Sequence, residues 1–324
     1  MGRARPYHSA ARWVRFAGLA ETIIYTLAHL SDLHATPVEP RGITPLLGKR
    51  ALGFLSWRVR RRHAHKPAVL EALIEDLHAQ APDHVAVTGD LTNISLLDEF
   101  PAARHWLERI GDPEWVSAVP GNHDAYVRVP RARSWDLWSE WLQPDDAWRS
   151  AAVSGTGFPS VRVRGPLALV GLCSAQPTLP FLAGGSLGEA QRERLEAALL
   201  ELRARGLVRI VLVHHAAVPG MVGTRRALWD ASALAALLAR TGAELVLHGH
   251  LHRQRFAALS GPDGEIPVVC VRSASDCGSK PEKSAQYHLI DVEADGGKPR
   301  LSLRVRGLDT ASGRFGAVGA ARQL

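Results

Sequence analysis

Cysteine is scarce in this 324-residue chain: there are three, Cys173, Cys270 and Cys277, with no CxxC pair among them. An odd, scattered set cannot build a disulfide framework, which argues against a small stapled secreted scaffold and for unpaired thiols in a reducing compartment. Long apolar runs are missing too, and none approaches the roughly 20 residues a membrane-spanning helix needs. Near the N-terminus Arg3, Arg5, Arg12 and Arg15 are followed by the apolar stretch Phe16 to Ala20, which is too short for a signal-peptide core. The expectation is a loose basic arm over 1–20 on a cytoplasmic protein. Internal repeats are absent, as is any linker long enough to split the chain. Residues 41–66 hold eight Lys and Arg side chains and no Asp or Glu.

What remains is ordinary globular material, 46% hydrophobic and 22% charged, long enough to bury a large core. The net charge of +7 is uneven: +8 lies in 41–66, +1 in 1–40 and +5 in 298–324, which leaves −7 for 67–297. Such asymmetry points to an anionic partner met at one place. The excess of Arg over Lys, which base composition alone can produce, weakens that inference.

Strand-like and helix-like stretches alternate along most of the chain. Strands are expected over 22–30, 85–88, 115–119, 161–163, 167–172, 208–213 and 244–247. Helices are expected over 68–79, 97–110, 186–203 and 231–240, the third opened by a Ser186/Glu189 capping box. From 254 onward only strands are expected, over 254–259, 268–272, 287–292 and 301–305. Residues 307–324 carry no periodicity and read as a mobile tail. The organisation expected is therefore an arm at 1–20, one domain over 21–306 with an insertion at 36–66, and a tail at 307–324. Alternation followed by strands alone suits an α/β fold of two packed sheets flanked by helices.

Polar clusters fall just past the ends of five expected strands: Asp32-Leu33-His34, Gly89-Asp90, Gly121-Asn122-His123-Asp124, His214-His215, and Gly249-His250-Leu251-His252. That edge is where open α/β sheets carry ligands. The clusters offer carboxylate, imidazole and amide donors without thiolate, a set suited to Mn, Fe, Zn or Co. They outnumber what one tetrahedral ion can use, whereas two ions about 3.5–4 Å apart, sharing a carboxylate, would use them all.

In this order the five blocks resemble the calcineurin-like metallophosphoesterase superfamily, over roughly 25–255. The resemblance implies a four-layer αββα sandwich of two mixed sheets and two divalent metal ions. It implies Asp32, His34 and His252 on the first metal, Asn122, His214 and His250 on the second, and Asp90 bridging both. His123 matches the histidine that protonates or steadies the leaving oxygen. A hydroxide bridging the metals would then attack a phosphodiester or pyrophosphate without a phosphoenzyme. His215, Asn93 and Arg58 are weaker candidates for substrate contact, and packing is an equal reading of His215. His248 reads as a satisfied strand-end histidine, and Asp124 as a turn cap or an orienter of His123.

Departures from better-known branches narrow the choice. Purple acid phosphatases have glycine where His34 stands and tyrosine where Asn93 stands. Protein Ser/Thr phosphatases carry a GDxxDRG block, absent from Gly89-Asp90-Leu91-Thr92-Asn93-Ile94. The start and end of the pattern look like the bacterial phosphodiesterase branch, although Ala216-Ala217 replaces a proline pair common there.

Asp32 and Asp90 are 58 residues apart, more than a strand–helix–strand unit needs. The excess interleaves Ile43, Leu46, Leu47, Leu52, Phe54, Leu55, Trp57 and Val59 with basic residues. One reading is a lid over the metals, or a membrane-surface helix at the inner membrane face, fit for a nucleotide–lipid such as UDP-2,3-diacylglucosamine, which relatives hydrolyse. The other is a helical hairpin packed on the body. A nuclease, an activity that also occurs in this superfamily, is a further alternative, but nucleic-acid binding is disfavoured by the many leucines between cations, which do not track phosphates. A metal-binding scaffold without turnover is the remaining alternative to an enzyme.

Overall fold

The computed structural model describes residues 13–14, 22–278, 280–294 and 298–324. The basic arm therefore lies outside the described residues, apart from a two-residue strand β1 (Trp13–Val14) paired with β2 (Thr22–Leu30).

The insertion follows β2. It holds α1 (Lys49–Ser56), which continues through a π-helical stretch (Trp57–Arg61) into α2 (Arg62–Ala64). Then come α3 (Pro67–Gln80), β3 (His84–Val87), α4 (Glu99–Ile110), β4 (Val116–Ala118), α5 (Ser139–Leu142), β5 (Ser160–Arg164) and β6 (Leu167–Gly171). The second half runs α6 (Glu189–Ala204), β7 (Val208–Leu212), α7 (Ala231–Thr241), β8 (Leu245–His248), β9 (Arg255–Gly261) and β10 (Gly264–Cys270). It closes with β11 (Gln286–Ala294), β12 (Arg300–Asp309), β13 (Arg314–Ala317) and β14 (Arg322–Gln323).

Among the described residues the strands form two mixed sheets. One has the order β13-β12-β11-β2-β3-β4, with β2, β3 and β4 parallel, and the other the order β5-β6-β7-β8-β10-β9, with β6, β7, β8 and β10 parallel. Alternation along the central strands of the second sheet builds the layers. Leu167, Leu169, Ile210, Leu212, Leu245 and Leu247 join the core shared with the first sheet. The intervening Ala168, Val170, Val211 and Val246 pack with Leu195, Leu199 and Leu202 of α6 and Leu234 and Leu238 of α7. Leu70, Leu73 and Leu77 of α3 and Phe100 and Leu107 of α4 join the core of the first sheet. The α/β four-layer sandwich is as expected from the alternation of elements.

Two local expectations fail. Residues 307–324 are not an aperiodic tail: β12 runs on to Asp309, and both β13 and β14 pair with it, down to Leu324 N–H donating to the Leu301 carbonyl. These strands lie at a sheet edge with mostly exposed side chains, so backbone pairing holds them with little hydrophobic alternation to betray it. The Ser186/Glu189 capping box also does not form. Gly188 stands at the N-cap of α6, and the Asp230 carboxylate accepts from Leu187 N–H and Gly188 N–H instead (3.0 and 2.9 Å).

The insertion packs on the body. Phe54 and Trp57 stack on each other and lie against Val38, Ile94, Leu96 and Tyr126. Gly53 faces Tyr126 so closely that a Cβ there would meet its ring. The opposite face leaves Leu52, Leu55 and Val59 in solvent, with Ile43 and Leu47 exposed ahead of the helix. No helix among the described residues is long and apolar enough to cross a membrane.

Candidate metal centre

Each cluster named from the sequence sits just beyond the C-terminal end of a parallel strand: Asp32 and His34 after β2, Asp90 after β3, Asn122 and His123 after β4, His214 after β7, and His250 and His252 after β8. Asp32, His34, Asp90, His250 and His252 all have positive φ, between 44° and 69°. The left-handed conformation costs an L-residue roughly 1–2 kcal/mol, and such strain characteristically collects at functional sites. Glycine supplies close approach where no side chain fits. A Cβ on Gly121 would overlap the Asp90 carboxylate, and one on Gly249 would overlap Ser31 Oγ beside Asp32.

The side chains converge on Asp90. Its Oδ2 lies 3.3 Å from His214 Nε2 and 3.6 Å from His34 Nε2. Asp32 Oδ1 lies 3.2 Å from His252 Nε2, and Asn122 Oδ1 is 3.0 Å from His214 Nε2. Two groups with donor atoms within 4.8 Å of one another follow: Asp32, His34, Asp90 and His252, and Asp90, His214 and His250. Asp90 belongs to both.

All of these residues but half-buried His252 are buried, and the outer nitrogens of three of the histidines are anchored. His34 Nδ1–H donates to the Thr92 carbonyl (2.9 Å), His214 Nδ1–H to Thr88 (2.7 Å) and His250 Nε2–H to Arg226 (3.0 Å). In each ring this directs the other nitrogen toward the centre, the arrangement metal-ligating histidines adopt; on His214 that nitrogen faces Asn122 Oδ1 and Asp90, where an ion would take the place of its proton. His34 Nε2 and Asp32 Oδ1 are buried without a hydrogen-bond partner, which is costly unless a cation completes them. Oxygen and nitrogen donors without sulfur, two buried carboxylates and orphaned lone pairs together fit divalent ions.

The electrostatics agree. Burial opposes charge on Asp90, yet His214, His123 and His34 around it hold its carboxyl well below the usual range. Burial likewise opposes His214's positive charge, but Asp90 and then Asp32 raise it to about 9. His34 is pushed well below its ordinary value by burial.

Asp124 neither ligates nor touches His123's ring. Its carboxylate accepts from Thr92 N–H (2.8 Å), Gly121 N–H (2.9 Å) and Leu91 N–H (3.3 Å), tying the Asp90 loop to the Asn122 loop. Burial and then Asp90's charge lift it to about 7.

His123 hangs beside Asp90, whose Oδ1 accepts its backbone N–H (2.7 Å), while its Nδ1–H donates to the Asn93 carbonyl. Its Nε2 then accepts from Arg61 Nη2 (2.8 Å). Burial, and after it the Arg61 charge, lowers His123 to about 3.

The weaker candidates fall elsewhere. His215 is buried with both nitrogens used, toward Ser174 Oγ (2.7 Å) and the Ala183 carbonyl (3.2 Å), so it packs under His214 and His250 with no atom free for substrate. The Asn93 amide nitrogen turns to Thr36 Oγ1 (3.0 Å) and the His34 carbonyl (3.3 Å), bracing the ligand loop. Arg58 is exposed on the outer side of the insertion. The cation the insertion delivers is Arg61. His248 donates through Nδ1 to the Gly249 carbonyl (3.0 Å), while its Nε2 has no partner.

Three contributors escaped the sequence reading. Arg61 was one of a run of arginines with nothing to single it out. His65 stands with His34 and His252, donor nitrogens within 4.8 Å; the His63-Ala64-His65 spacing, equal to that of Asp32/His34 and His250/His252, was the available signal. Glu99, fully buried, accepts from Asn93 N–H, Ile94 N–H, Leu96 N–H and Thr36 O–H (2.6–3.0 Å) and fixes the loop after Asp90.

A four-layer sandwich with carboxylate and imidazole ligands at the strand ends is the metallophosphoesterase fold. The chain belongs to the calcineurin-like phosphoesterase family, whose model matches residues 25–254. Among solved structures, a dimetal phosphatase from Danio rerio superposes with a TM-score of 0.56 at 12% identity, covering 91% of this chain and 98% of that one. The NAD nucleotidase of Haemophilus influenzae gives 0.50 at 12% identity, over 92% of this chain and 54% of that one. A 5'-nucleotidase precursor from Thermus thermophilus gives 0.47 at 17% identity, over 93% and 54%. This chain therefore spans about half the length of those two nucleotidases. No curated protein sequence matches it.

Proposed function

We propose that the protein is a two-metal phosphoesterase that hydrolyses a phosphodiester or pyrophosphate. The observation that carries this reading is Asp90, shared by two donor groups, buried apart from half-buried His252, in which Asp32 Oδ1 and His34 Nε2 have no hydrogen bond. Asp32, His34, His252 and Asp90 would hold one ion, and Asn122, His214, His250 and Asp90 the other. Two divalent ions bound there supply Lewis acidity toward the phosphoryl oxygens and acidify water to near-neutral pKa.

The protein's own groups do the rest. Asp90 and Asp32 are kept ionised, and the Thr92, Thr88 and Arg226 carbonyls hold the imidazoles with their second nitrogens inward. His123, whose Nε2 accepts from Arg61 Nη2, orients that guanidinium beside the departing oxygen. Arg61, always cationic, brings positive charge to the same place, where a preorganised donor in a dry site is worth most.

The test is hydrolysis of bis-p-nitrophenyl phosphate against p-nitrophenyl phosphate after metal stripping and Mn²⁺ addition. The reading expects metal-dependent turnover with the diester preferred. A monoester preference would make the protein a phosphatase, and no turnover with both metals bound would leave a scaffold.

A more specific substrate is favoured by the exposed side chains around the insertion. Lys49 Nζ donates to Thr178 Oγ1 (2.7 Å), which sets the 178–182 loop against the start of α1. Ile43 (82% exposed), Leu47, Leu55 and Val59 of the insertion and Leu179 and Phe181 (77% exposed) of that loop are all in solvent, as are Arg58 and Arg60. Apolar side chains among cations suit an acyl-bearing phosphate ester presented at an anionic inner-membrane surface. Turnover of UDP-2,3-diacylglucosamine, and co-sedimentation with phosphatidylglycerol vesicles lost in Leu55→Glu/Val59→Glu, would support this reading. Equal partitioning of that variant would count against it.

A further inference from the structure

We propose that His65, at the end of the insertion, is a further protein ligand of the ion held by His34 and His252. The assignment rests on the two-metal reading of the site and adds a donor to it from outside the five motif blocks. Donor nitrogens of His34, His65 and His252 lie within 4.8 Å of one another, with ring centroids 4.8 Å (His34) and 5.3 Å (His252) from that of His65.

The hydrogen bonds fix its tautomer. Ser273 Oγ gives its proton to the Asp32 carbonyl (2.6 Å), so toward His65 Nδ1, 3.3 Å away, it can only accept. Ser275 Oγ lies 2.9 Å from the same nitrogen. Nδ1 therefore carries the proton, and the Nε2 lone pair is free. This repeats the pattern of His34 and His214, each with its outer N–H committed to an oxygen and its inner nitrogen directed to the centre.

The ring is also held in place. Lys66 N–H donates to the Ser275 carbonyl (3.0 Å) and Cys277 N–H to the Ala64 carbonyl (2.8 Å), on either side of a bridge pairing His65 with Asp276. His65 is buried, and His34 Nε2 has no partner. Nitrogens of three imidazoles converge there, and an ion among them would be shared by all three. One residue pair, Arg61 and His65, thereby couples the insertion both to His123 and to the metal, since four residues of helix place the two on one face.

The test follows metal binding rather than turnover. Apoprotein is titrated with Co²⁺ and read by visible d–d absorption and by calorimetry, for wild type, His65→Ala and His65→Gln. Wild type is expected to take two ions. Both variants should bind one of them at least about tenfold more weakly with altered d–d bands, while the other ion and the far-UV circular dichroism stay unchanged. Unchanged affinity and spectrum in both variants would overturn the assignment and leave His65 a packing residue.

A second measurement needs no folded variant. In ¹⁵N-histidine-labelled Co²⁺ wild type, five histidines should show strongly hyperfine-shifted ring signals (His34, His65, His214, His250 and His252), and a count of four refutes the proposal. Uptake of fewer than two ions by wild type would instead sink the two-metal reading, and this assignment with it.

Discussion

Glu99 offers the sharpest test of how the site is held. Its carboxylate is fully buried and accepts four hydrogen bonds: Asn93 N–H (2.6 Å) and Thr36 O–H (2.8 Å) on Oε1, and Ile94 N–H (3.0 Å) and Leu96 N–H (2.9 Å) on Oε2. Three of those donors belong to the loop after Asp90 and one to the loop after His34. Glu99→Ala would strand four buried donors at about 1–3 kcal/mol each before relaxation, and allowing water to re-enter the space leaves a net loss of about 3–6 kcal/mol. Glu99→Gln keeps two of the bonds but turns an NH₂ group against two N–H donors, so it should cost about 2–4 kcal/mol. Urea unfolding of the apoprotein measures both, since a change of midpoint at constant slope reports stability. Both variants should also bind metal more weakly, because the loops carrying Asp90 and His34 lose their common anchor. Stability of Glu99→Ala within about 0.5 kcal/mol of wild type, the range of an ordinary surface change, would refute the reasoning.

Other perturbations separate roles within the centre. His123→Ala and Arg61→Ala should each lower kcat by about 10²–10³ while two metals remain bound; equal loss of metal, measured by atomic emission, would mean these residues support the ligands instead. Gly249→Ala should cost roughly 1–3 kcal/mol of overpacking and weaken metal uptake, because its Cβ overlaps Ser31 Oγ next to Asp32; full metal content in that variant would contradict the close packing. Acid should destabilise the fold through buried histidines that are not candidate ligands. His29 and His84 are held well below their ordinary values and His288 at about 3, in each case chiefly by burial. These groups stay neutral in the folded state while the unfolded chain protonates below about pH 6.5, so stability is full above that pH and falls as pH drops below it. At pH 5 the loss is at most about 2 kcal/mol for each of the three. Urea midpoints across pH 5–7.5 should show the slope, and His288→Gln should make it shallower; a flat profile would refute it.

The sandwich and the strand-end placement of the seven candidate ligands were legible because each candidate follows a strand in sequence as it does in space. A strand end and a polar cluster are both local features, and the order of the clusters carries the family pattern. His65, Arg61 and Glu99 were not legible in the same way. His65 meets Ser275 across 210 residues, and nothing local distinguishes Arg61 from Arg60 or Arg62. Glu99 looked like any acidic residue in a helix's first turn. The cap of α6 failed for a related reason, since Asp230 arrives from the start of α7 and displaces the local Ser186/Glu189 solution. The C-terminal strands were missed because edge pairing depends on the backbone, which leaves no periodic trace. The basic insertion, whose sequence suits a lid or a packed hairpin, combines features of both: Phe54 and Trp57 pack inward, Arg61 reaches His123, and Leu55 and Val59 stay outside.

The central claim is that one carboxylate, Asp90, serves two ions, and counting metals tests it most directly. Wild type and Asp90→Asn are loaded with Mn²⁺, passed through a desalting column, and analysed by atomic emission alongside diester turnover. The account predicts two ions per chain in wild type and the loss of both, together with turnover, in Asp90→Asn. Retention of one ion at full occupancy, or of wild-type turnover, in Asp90→Asn would contradict it.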